Sequence, residues 1–554
     1  MKKMTGSPLP LGVSEKDGMV NFSVAVESGK TCKLCIYQKS VEEPEFVVEL
    51  SEAESVGAVR FIALPKSKVK GKEYRYEIDG KCVVDPYVKS ISESGDGIRG
   101  KILCEEYDWE GDEPLQLPYH EVIAYNLHVR GFTKHASSKV KNKGTFRGVI
   151  EKIPYFLELG INQIQCMPVY AFEENPKYHN YWGYGPAFCF AVKEAYAAGK
   201  NAEKELKDMV KECHKNGIEV VLHLPFTKET PNQMIEECLR YYVFEYHIDG
   251  FILNSYNAPM DTILSDPILK KTKIMQNKDE FQNVMRRFLK GDVEMIPEVM
   301  EYLKRNATES GSCNYVTNHT GFTLADLVSY ETKHNEMNGE KNQDGPDYNY
   351  SCNYGEEGPT RKKHILDLRK RQMRNAMCLM LLAQGTPSIL SGDEFGNTQS
   401  GNNNVYCQDN EIAWIDWKKA EKEKTFFEYV KRLIALRKEY PVLHSDKQLL
   451  GVDKSSCGVP DVSYHGEEAW QIPKQPSSKQ LGVYYHGEDG SDCFVAYNMH
   501  TEEKLFALPA LGKKKEWYRV FSTADEQGTT EEMLEKNQKG TMVEGRTIVM
   551  FVGK

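Results

Sequence analysis

Residues 206–254 read LKDMVKECHKNGIEVVLHLPFTKETPNQMIEECLRYYVFEYHIDGFILN, and their periodicity decides the fold. Apolar side chains recur at helical spacing up to Gly217, and a mainly apolar run follows over 218–226. A second helical pattern starts at Pro231 and leads into another apolar run over 248–254. Amphipathic helices that alternate with buried strands are typical of parallel β/α structures. The stretch therefore predicts two consecutive β/α units.

The same alternation extends on both sides of this stretch. Further strand-like runs lie at 122–129, 161–169, 273–276, 314–318 and 388–390. About eight β/α units can be drawn between Val122 and Leu436, which predicts a (β/α)8 TIM barrel. Outside that range, short strands separated by turn residues show no helical periodicity, so we expect a β-sandwich at each end. The predicted domains are an N-terminal β-sandwich over 1–95, a linker over 96–120, the barrel over 121–441 and a C-terminal β-sandwich over 442–554.

The composition of the 554-residue chain excludes several kinds of partner. Its 71 basic and 81 acidic residues give a formal charge of -10, so no positive surface is indicated for nucleic acid or an anionic membrane. The N-terminal residues lack the apolar stretch of a signal peptide, and no run of about 18 apolar residues predicts a membrane span. The 14 cysteines are scattered and predict reduced, buried thiols. We therefore expect a cytoplasmic protein with no nucleic-acid or membrane partner.

Several short motifs follow one another in the predicted barrel. They are YNLHVRGFT at 125–133, NYWGY at 180–184, QGTP at 384–387, GDEFG at 392–396 and GNNNVYCQDNE at 401–411. In order and spread they resemble the α-amylase family, glycoside hydrolase family 13, and the last three resemble its glycogen debranching, isoamylase-type branch. The flanking sandwiches resemble the amino-terminal carbohydrate-binding-like module and the carboxy-terminal domain of that branch. The resemblance implies a role in α-glucan metabolism, whereas the activity has to be argued from individual residues.

The catalytic positions that the resemblance implies carry the wrong side chains for hydrolysis. A retaining glycosidase of this family needs a carboxylate nucleophile, a carboxylic acid and a third carboxylate. Asn254 stands at the nucleophile position, Asn277 at the acid position and Thr320 at the third. An amide neither forms a competent glycosyl ester nor donates a proton to a leaving oxygen at neutral pH. Ile252 replaces the arginine that orients the nucleophile, so we predict no catalytic residues at these degenerate positions.

Two loops of the substrate cleft are short as well. Only residues 227–230 separate the third strand from the next helix, and Asn277 is followed almost at once by a helix. The resemblance implies longer cleft-shaping loops at both places. Trp182, Tyr184 and His319 remain as substrate-binding candidates. Tyr184 could stack on a sugar or pack over the barrel mouth, and His319 could be a structural remnant or a proton carrier.

Three functions are compatible with this sequence. The first is a non-hydrolytic debranching-enzyme-like protein that binds an α-glucan such as glycogen or starch, or that partners an active amylolytic enzyme. The second is a working hydrolase of α-1,6 branches, and the third is a protein-interaction scaffold without glucan affinity. The loss of three carboxylates favours the first over the second. No metal or organic cofactor is predicted, because the acidic and histidine residues form no cluster with a known ligand spacing.

Overall fold

Two antiparallel sheets form the N-terminal part of the computed structural model, which describes residues 6–95, 97–103, 106–172, 179–306, 311–454, 456–512, 514–528 and 532–554. The elements are β1 (Gly12–Lys16), β2 (Met19–Ala25), β3 (Cys32–Tyr37), β4 (Phe46–Glu49), β5 (Val59–Pro65), α1 (Lys66–Val69), β6 (Glu73–Ile78), β7 (Lys81–Val83), β8 (Ile91–Ser94) and β9 (Gly97–Lys101). β1, β2 and β5 form one sheet, and the other strands form the second. Phe22, Leu34 and Tyr76 come from both sheets and share one apolar core, as expected for a sandwich. β9 lies beyond residue 95, which is the predicted end of the N-terminal β-sandwich. The domain boundaries given in the sequence analysis stay predictions.

The central part of the chain alternates strands and helices. Its strands are β10 (Ala124–Leu127), β11 (Gln163–Cys166), β12 (Tyr170–Phe172), β13 (Ala187–Val192), β14 (Glu219–Leu224), β15 (Gly250–Leu253), β16 (Lys273–Met275), β17 (Cys313–Asn314) and β18 (Thr386–Leu390). Its helices are α2 (Val129–Lys134), α3 (Phe146–Ile150), α4 (Ile153–Leu159), α5 (Ala202–Lys215), α6 (Asn232–Tyr246), α7 (Met260–Ser265), α8 (Glu280–Lys290), α9 (Ile296–Lys304), α10 (Leu324–Leu327), α11 (Lys363–Leu381), α12 (Lys418–Lys422) and α13 (Lys424–Glu439). β12 and β13 form a separate antiparallel pair, and the other strands form one parallel sheet.

The parallel sheet closes into a barrel. Its order is β16-β15-β14-β11-β10-β18-β17, and a parallel bridge between Gln276 and Ser312 links the β16 edge to the β17 edge. The predicted β/α barrel with β-rich parts on both sides is therefore confirmed. Between β16 and β17, α8 and α9 are joined directly by residues 291–295, which leave no room for a strand. The described residues thus contribute 7 strands to this sheet rather than the eight of the predicted barrel.

The helices cover the outside of the barrel with the faces that the sequence predicts. Leu206, Met209 and Cys213 of α5 are fully buried. Asn201 caps this helix, because its side chain accepts a hydrogen bond from a backbone N–H of the first turn at 2.8 Å. Gly217 takes a positive φ of 70° after the helix, a conformation that turns the chain into β14 at little steric cost.

Side chains fill the barrel interior in two layers. Gln163, Glu219 and Lys273 are the first residues of β11, β14 and β16, and they form a buried polar layer at the amino end. Glu219 accepts hydrogen bonds from Lys273 at 2.5 Å and from Gln163 at 2.8 Å. The next layer is an apolar cluster made of Val221, Ile252, Met275, Cys313 and Tyr315. This apolar cluster forms part of the floor below the carboxyl rim of the barrel.

Residues 112–117 run across the amino end of the barrel. Leu115 N donates to Asp249 Oδ1 at 2.9 Å. His214 of α5 bridges Asp249 and Asp112 through its two ring nitrogens, at 2.9 and 3.0 Å. Burial alone lowers the pKa of His214, but the hydrogen bonds and charges of the two carboxylates outweigh burial and raise it. These contacts bind part of the predicted linker to the barrel.

The C-terminal part consists of a larger and a smaller sheet. Its strands are β19 (Val462–His465), β20 (Gln480–His486), β21 (Asp492–Asn498), β22 (Lys504–Ala507), β23 (Trp517–Ser522), β24 (Met533–Leu534), β25 (Gly540–Val543) and β26 (Thr547–Gly553). The larger sheet has the order β19-β20-β21-β26-β23-β24, and β22 pairs with β25. This part docks on α11, where Arg374 Nε donates to Thr523 O at 2.8 Å. Among the described residues, no helix has both the length and the apolar character needed to cross a membrane, and the cysteines are free.

Candidate functional site

The loops that follow the parallel strands meet at the carboxyl rim of the barrel. Asn254 comes directly after β15, Asn277 follows β16, and Thr320 lies in the loop after β17. All three side chains are exposed. Asn254 Oδ1 accepts a hydrogen bond from Tyr256 N at 2.9 Å, and Thr320 Oγ1 donates to Asn318 Oδ1 at 2.8 Å. Asn254 and Thr320 are therefore each oriented by their own loop.

Ile252 lies below Asn254, inside the barrel. It is 1% exposed and belongs to the apolar cluster that also contains Met275 and Tyr315. The resemblance implies an arginine at this position. A guanidinium placed in an apolar cluster would lack a charged partner, and burying an unpaired charge costs several kcal/mol. The packing around Ile252 therefore suits a neutral side chain.

Four rings gather at the rim. The Tyr184 hydroxyl lies 2.7 Å from Nε2 of His319 and 3.4 Å from Nδ1 of His223. Trp182 packs edge-on against His319, with ring centroids 5.2 Å apart. The three substrate-binding candidates from the sequence thus lie together, and the structure adds His223. We call these four residues the ring cluster.

Sequence reasoning did not single out His223 as a site residue. His223 lies in β14, and the alternation along this strand places Glu219, Val221 and His223 on the same, inward face. Because Val221 and Glu219 fill the barrel below it, His223 is the inward residue nearest the carboxyl rim. That period-two pattern is the signal that identifies it.

Burial keeps both imidazoles of the ring cluster neutral. It lowers the pKa of His223 to about 4. It also lowers the pKa of His319 well below its usual value, and His223 and His128 add to this effect. Nδ1 of His319 has no hydrogen-bond partner among the described residues. At neutral pH the ring cluster therefore carries uncharged hydrogen-bonding groups, and Tyr184 is its half-buried member while the other three rings are buried.

One carboxylate follows Asn277 in the loop after β16. Asp279 is exposed, and its Oδ1 accepts hydrogen bonds from Tyr315 Oη at 2.9 Å and Gln282 Nε2 at 2.6 Å. Asp249 precedes β15 and so lies at the opposite end of the barrel. In the part of the chain that the structure describes, no three His, Cys, Asp or Glu side chains are grouped so that they could hold a metal ion. Rings beside neutral polar groups suit an uncharged ligand with apolar faces, such as a sugar.

Comparisons with known proteins agree with this architecture. The family model "Alpha amylase, catalytic domain" matches residues 131–227. The chain is 32% identical over 659 residues to isoamylase 1, chloroplastic, of Arabidopsis thaliana, covering 91% of this chain and 83% of that protein. It is 31% identical over 568 residues to the glycogen debranching enzyme of Erwinia tasmaniensis, covering 80% of this chain and 85% of that protein. Its fold is similar to that of the pullulanase from Paenibacillus barengoltzii in complex with maltohexaose and alpha-cyclodextrin, with a TM-score of 0.76 and 18% identity over 99% of this chain and 96% of that chain.

Proposed function

The chain belongs to the isoamylase and glycogen debranching branch of the α-amylase family, glycoside hydrolase family 13, and we propose that it binds α-glucan without hydrolysing it. One observation carries this proposal. The loops after β15, β16 and β17 carry two amides and a hydroxyl, from Asn254, Asn277 and Thr320, at the positions where the resemblance to the family implies carboxyl groups. A retaining reaction needs two such groups about 5 to 5.5 Å apart.

Each replacement removes a separate part of the reaction. The amide of Asn254 carries no negative charge with which to attack the anomeric carbon. The amide of Asn277 cannot protonate the leaving oxygen, and the loss of a general acid alone costs about 10²- to 10⁴-fold in rate. Ile252 contributes no cation to orient a nucleophile, and it sits in a cluster of apolar neighbours. Restoring one side chain would leave the other parts missing.

The ring cluster supports retained glucan binding. Sugar rings have apolar faces that stack on aromatic side chains, and their hydroxyls hydrogen-bond to neutral polar groups. Tyr184 is half-buried and supplies a ring at the rim, and the buried, neutral imidazoles of His223 and His319 lie at its hydroxyl. A chain that holds glucan in this way could also present it to an active amylolytic enzyme, and this partnership is the second form of the proposal.

The alternative is a working hydrolase of α-1,6 branches. Two observations favour it: the relatives named above are called isoamylase and glycogen debranching enzyme, and Asp279 places a carboxylate at the rim. Such a hydrolase would need a second carboxyl group at about 5 to 5.5 Å for retention or about 6.5 to 9.5 Å for inversion. Asp279 already accepts two hydrogen bonds from its neighbours, which suits a role in holding the start of α8.

Sedimentation with glycogen tests the binding that we propose. The wild-type chain should pellet with glycogen, and Tyr184→Ala should weaken binding by up to about tenfold, the equivalent of the roughly 1.5 kcal/mol of an aromatic stacking contact. Tyr184→Phe keeps the ring and should retain most of the affinity. Phe244→Ala, which removes an exposed ring from the outer face of α6, is the matched control and should bind like the wild type. A wild-type chain that stays in the supernatant would refute glucan binding.

A further inference from the structure

A cavity of about 390 Å³ opens on the flank of the barrel, between α11 and the segment that contains α12 and α13. Its wall is partly apolar, with Val328, Tyr330, Met373 and Phe426 among the lining residues. The volume lies in the range of about 300 to 1,000 Å³ that is usual for small-molecule sites. No member of the ring cluster lines it. We call it the flank cavity.

Basic side chains surround the apolar wall of the flank cavity. The cationic lining residues are Arg369, Lys370, Arg374, Lys419 and Lys422. The acidic ones are Asp326, Glu423 and Glu526. The flank cavity therefore has an excess of positive charge within a chain whose net charge is -10. Because its lining is positively charged, the cavity attracts anions although the chain as a whole is negatively charged.

These cations differ in how their charge is compensated. Lys370 pairs with Glu423 at 3.1 Å, and Arg369 donates to backbone carbonyls, one of them at 2.6 Å. Lys419 and Lys422 have no carboxylate at ion-pair distance within the described ranges, and Lys419 Nζ reaches a backbone carbonyl only at 3.4 Å. Two ammonium groups at the cavity are thus available to a ligand.

Lys419 is also partly withdrawn from water. Burial lowers its pKa, and the charges of Asp326, Asp416 and Glu423, none of which is at ion-pair distance, offset only part of this effect. An anion bound beside Lys419 would give its ammonium group a directly hydrogen-bonded partner. Charge-assisted hydrogen bonds of this kind are among the strongest that proteins make.

We propose that the flank cavity binds a small amphipathic anion, an apolar body that carries one acidic group such as a carboxylate, phosphate or sulfonate. The apolar body packs against Met373 and Phe426, and the acidic group accepts hydrogen bonds from Lys419 and Lys422. α-Glucan is uncharged and lacks this combination, so the ligand is of a different class. The proposal is independent of what the ring cluster binds.

Fluorescence titration of the full chain with 8-anilinonaphthalene-1-sulfonate tests this proposal. The probe joins an aromatic body to a sulfonate, and we expect saturable binding at one site. The double variant Lys419→Met/Lys422→Met should bind it at least about tenfold more weakly. The matched control Lys39→Met/Lys200→Met removes two lysines from a different cavity and should leave the affinity unchanged.

A second variant and a second probe separate the apolar contribution from the charge. Thr425→Trp places a large ring in the flank cavity and should abolish binding while all of the lysines remain. N-phenyl-1-naphthylamine lacks the sulfonate, and its weaker binding should be the same in the wild type and the Lys419/Lys422 variant. The proposal is overturned if the wild type shows no saturable binding of 8-anilinonaphthalene-1-sulfonate, or if the Lys419/Lys422 variant binds it with unchanged affinity. It is also overturned if the Lys39/Lys200 variant loses as much affinity as the Lys419/Lys422 variant. Melting temperatures close to that of the wild type show that the variants are folded.

Discussion

The buried pair of Lys273 and Glu219 gives a sharp test of how the barrel interior is built. Glu219 is 0% exposed, and it accepts hydrogen bonds from Lys273 at 2.5 Å, Gln163 at 2.8 Å and Leu117 N at 2.7 Å. The variant Lys273→Met removes the cation and leaves the carboxylate in the low-dielectric interior. Breaking a buried pair in this way costs about 3 to 5 kcal/mol of unfolding free energy.

The cost should depend on pH. Burial raises the pKa of Glu219, and Lys273 is the strongest of the influences that lower it. Without the lysine, the folded-state pKa of Glu219 rises further above its unfolded value. A carboxyl group of this kind contributes stability at low pH that is lost as the pH rises through the folded-state pKa. The penalty of Lys273→Met is therefore smallest in acid and grows toward neutral and alkaline pH.

Urea unfolding followed by circular dichroism at 222 nm measures this penalty, because α2 to α13 all belong to the barrel part of the chain. We expect a loss of about 3 to 5 kcal/mol near pH 8 and a clearly smaller loss near pH 5. Lys273→Met/Glu219→Gln should recover most of the stability, because no uncompensated charge remains. A loss below about 1 kcal/mol that is the same at both pH values would refute the reasoning, since that is the behaviour of an exposed pair.

Three further predictions concern the amino end, the buried carboxyls and the rim. His214 has a raised pKa, so its contribution is present below the ordinary histidine value of 6.5 and is lost as the pH rises through the higher folded-state pKa. In urea unfolding, the stability advantage of the wild type over His214→Asn should therefore shrink as the pH is raised above 6.5. Burial raises the pKa of Glu394 from 4.5 to about 7, so the wild type should lose stability as the pH rises from 4.5 to about 7. Glu394→Gln should flatten this pH dependence of the melting temperature. The triple variant Asn254→Asp/Asn277→Glu/Thr320→Asp should stay near background in a reducing-end assay with amylopectin. The orienting arginine is still missing, and a catalytic group misplaced by about 1 Å can lower the rate about 10²-fold. Robust turnover would show that only three side chains separate the chain from an active enzyme.

Local periodicity predicts much of this fold. α5 and β14 follow from apolar spacing and a glycine, both of which are short-range features of the chain. Each of the seven strand-like runs named from the sequence corresponds to a strand of the parallel sheet, whereas the described residues 291–295 between α8 and α9 contain no strand. Apolar periodicity indicates which face of a helix is buried, but it does not indicate whether a strand forms in the segment between two helices.

The candidate site depends on contacts that no local pattern contains. Tyr184 and His319 are 135 positions apart, and Tyr184 and His223 are 39 positions apart. Motif resemblance identifies Tyr184 and His319 as candidates, but only the closed barrel brings His223 to the same hydroxyl. The positions of Asn254 and Asn277 after neighbouring strands follow from parallel strand order, because the carboxyl ends of such strands share one rim.

Release of reducing ends from glycogen, amylopectin and pullulan tests the central claim most directly. The assay uses the purified wild-type chain at concentrations at which it pellets with glycogen, beside an active isoamylase as positive control. The proposal predicts binding with a release of reducing ends no faster than in the absence of protein. Turnover at ordinary enzyme rates, about 1 to 10³ per second, would contradict it and establish the chain as a working debranching hydrolase.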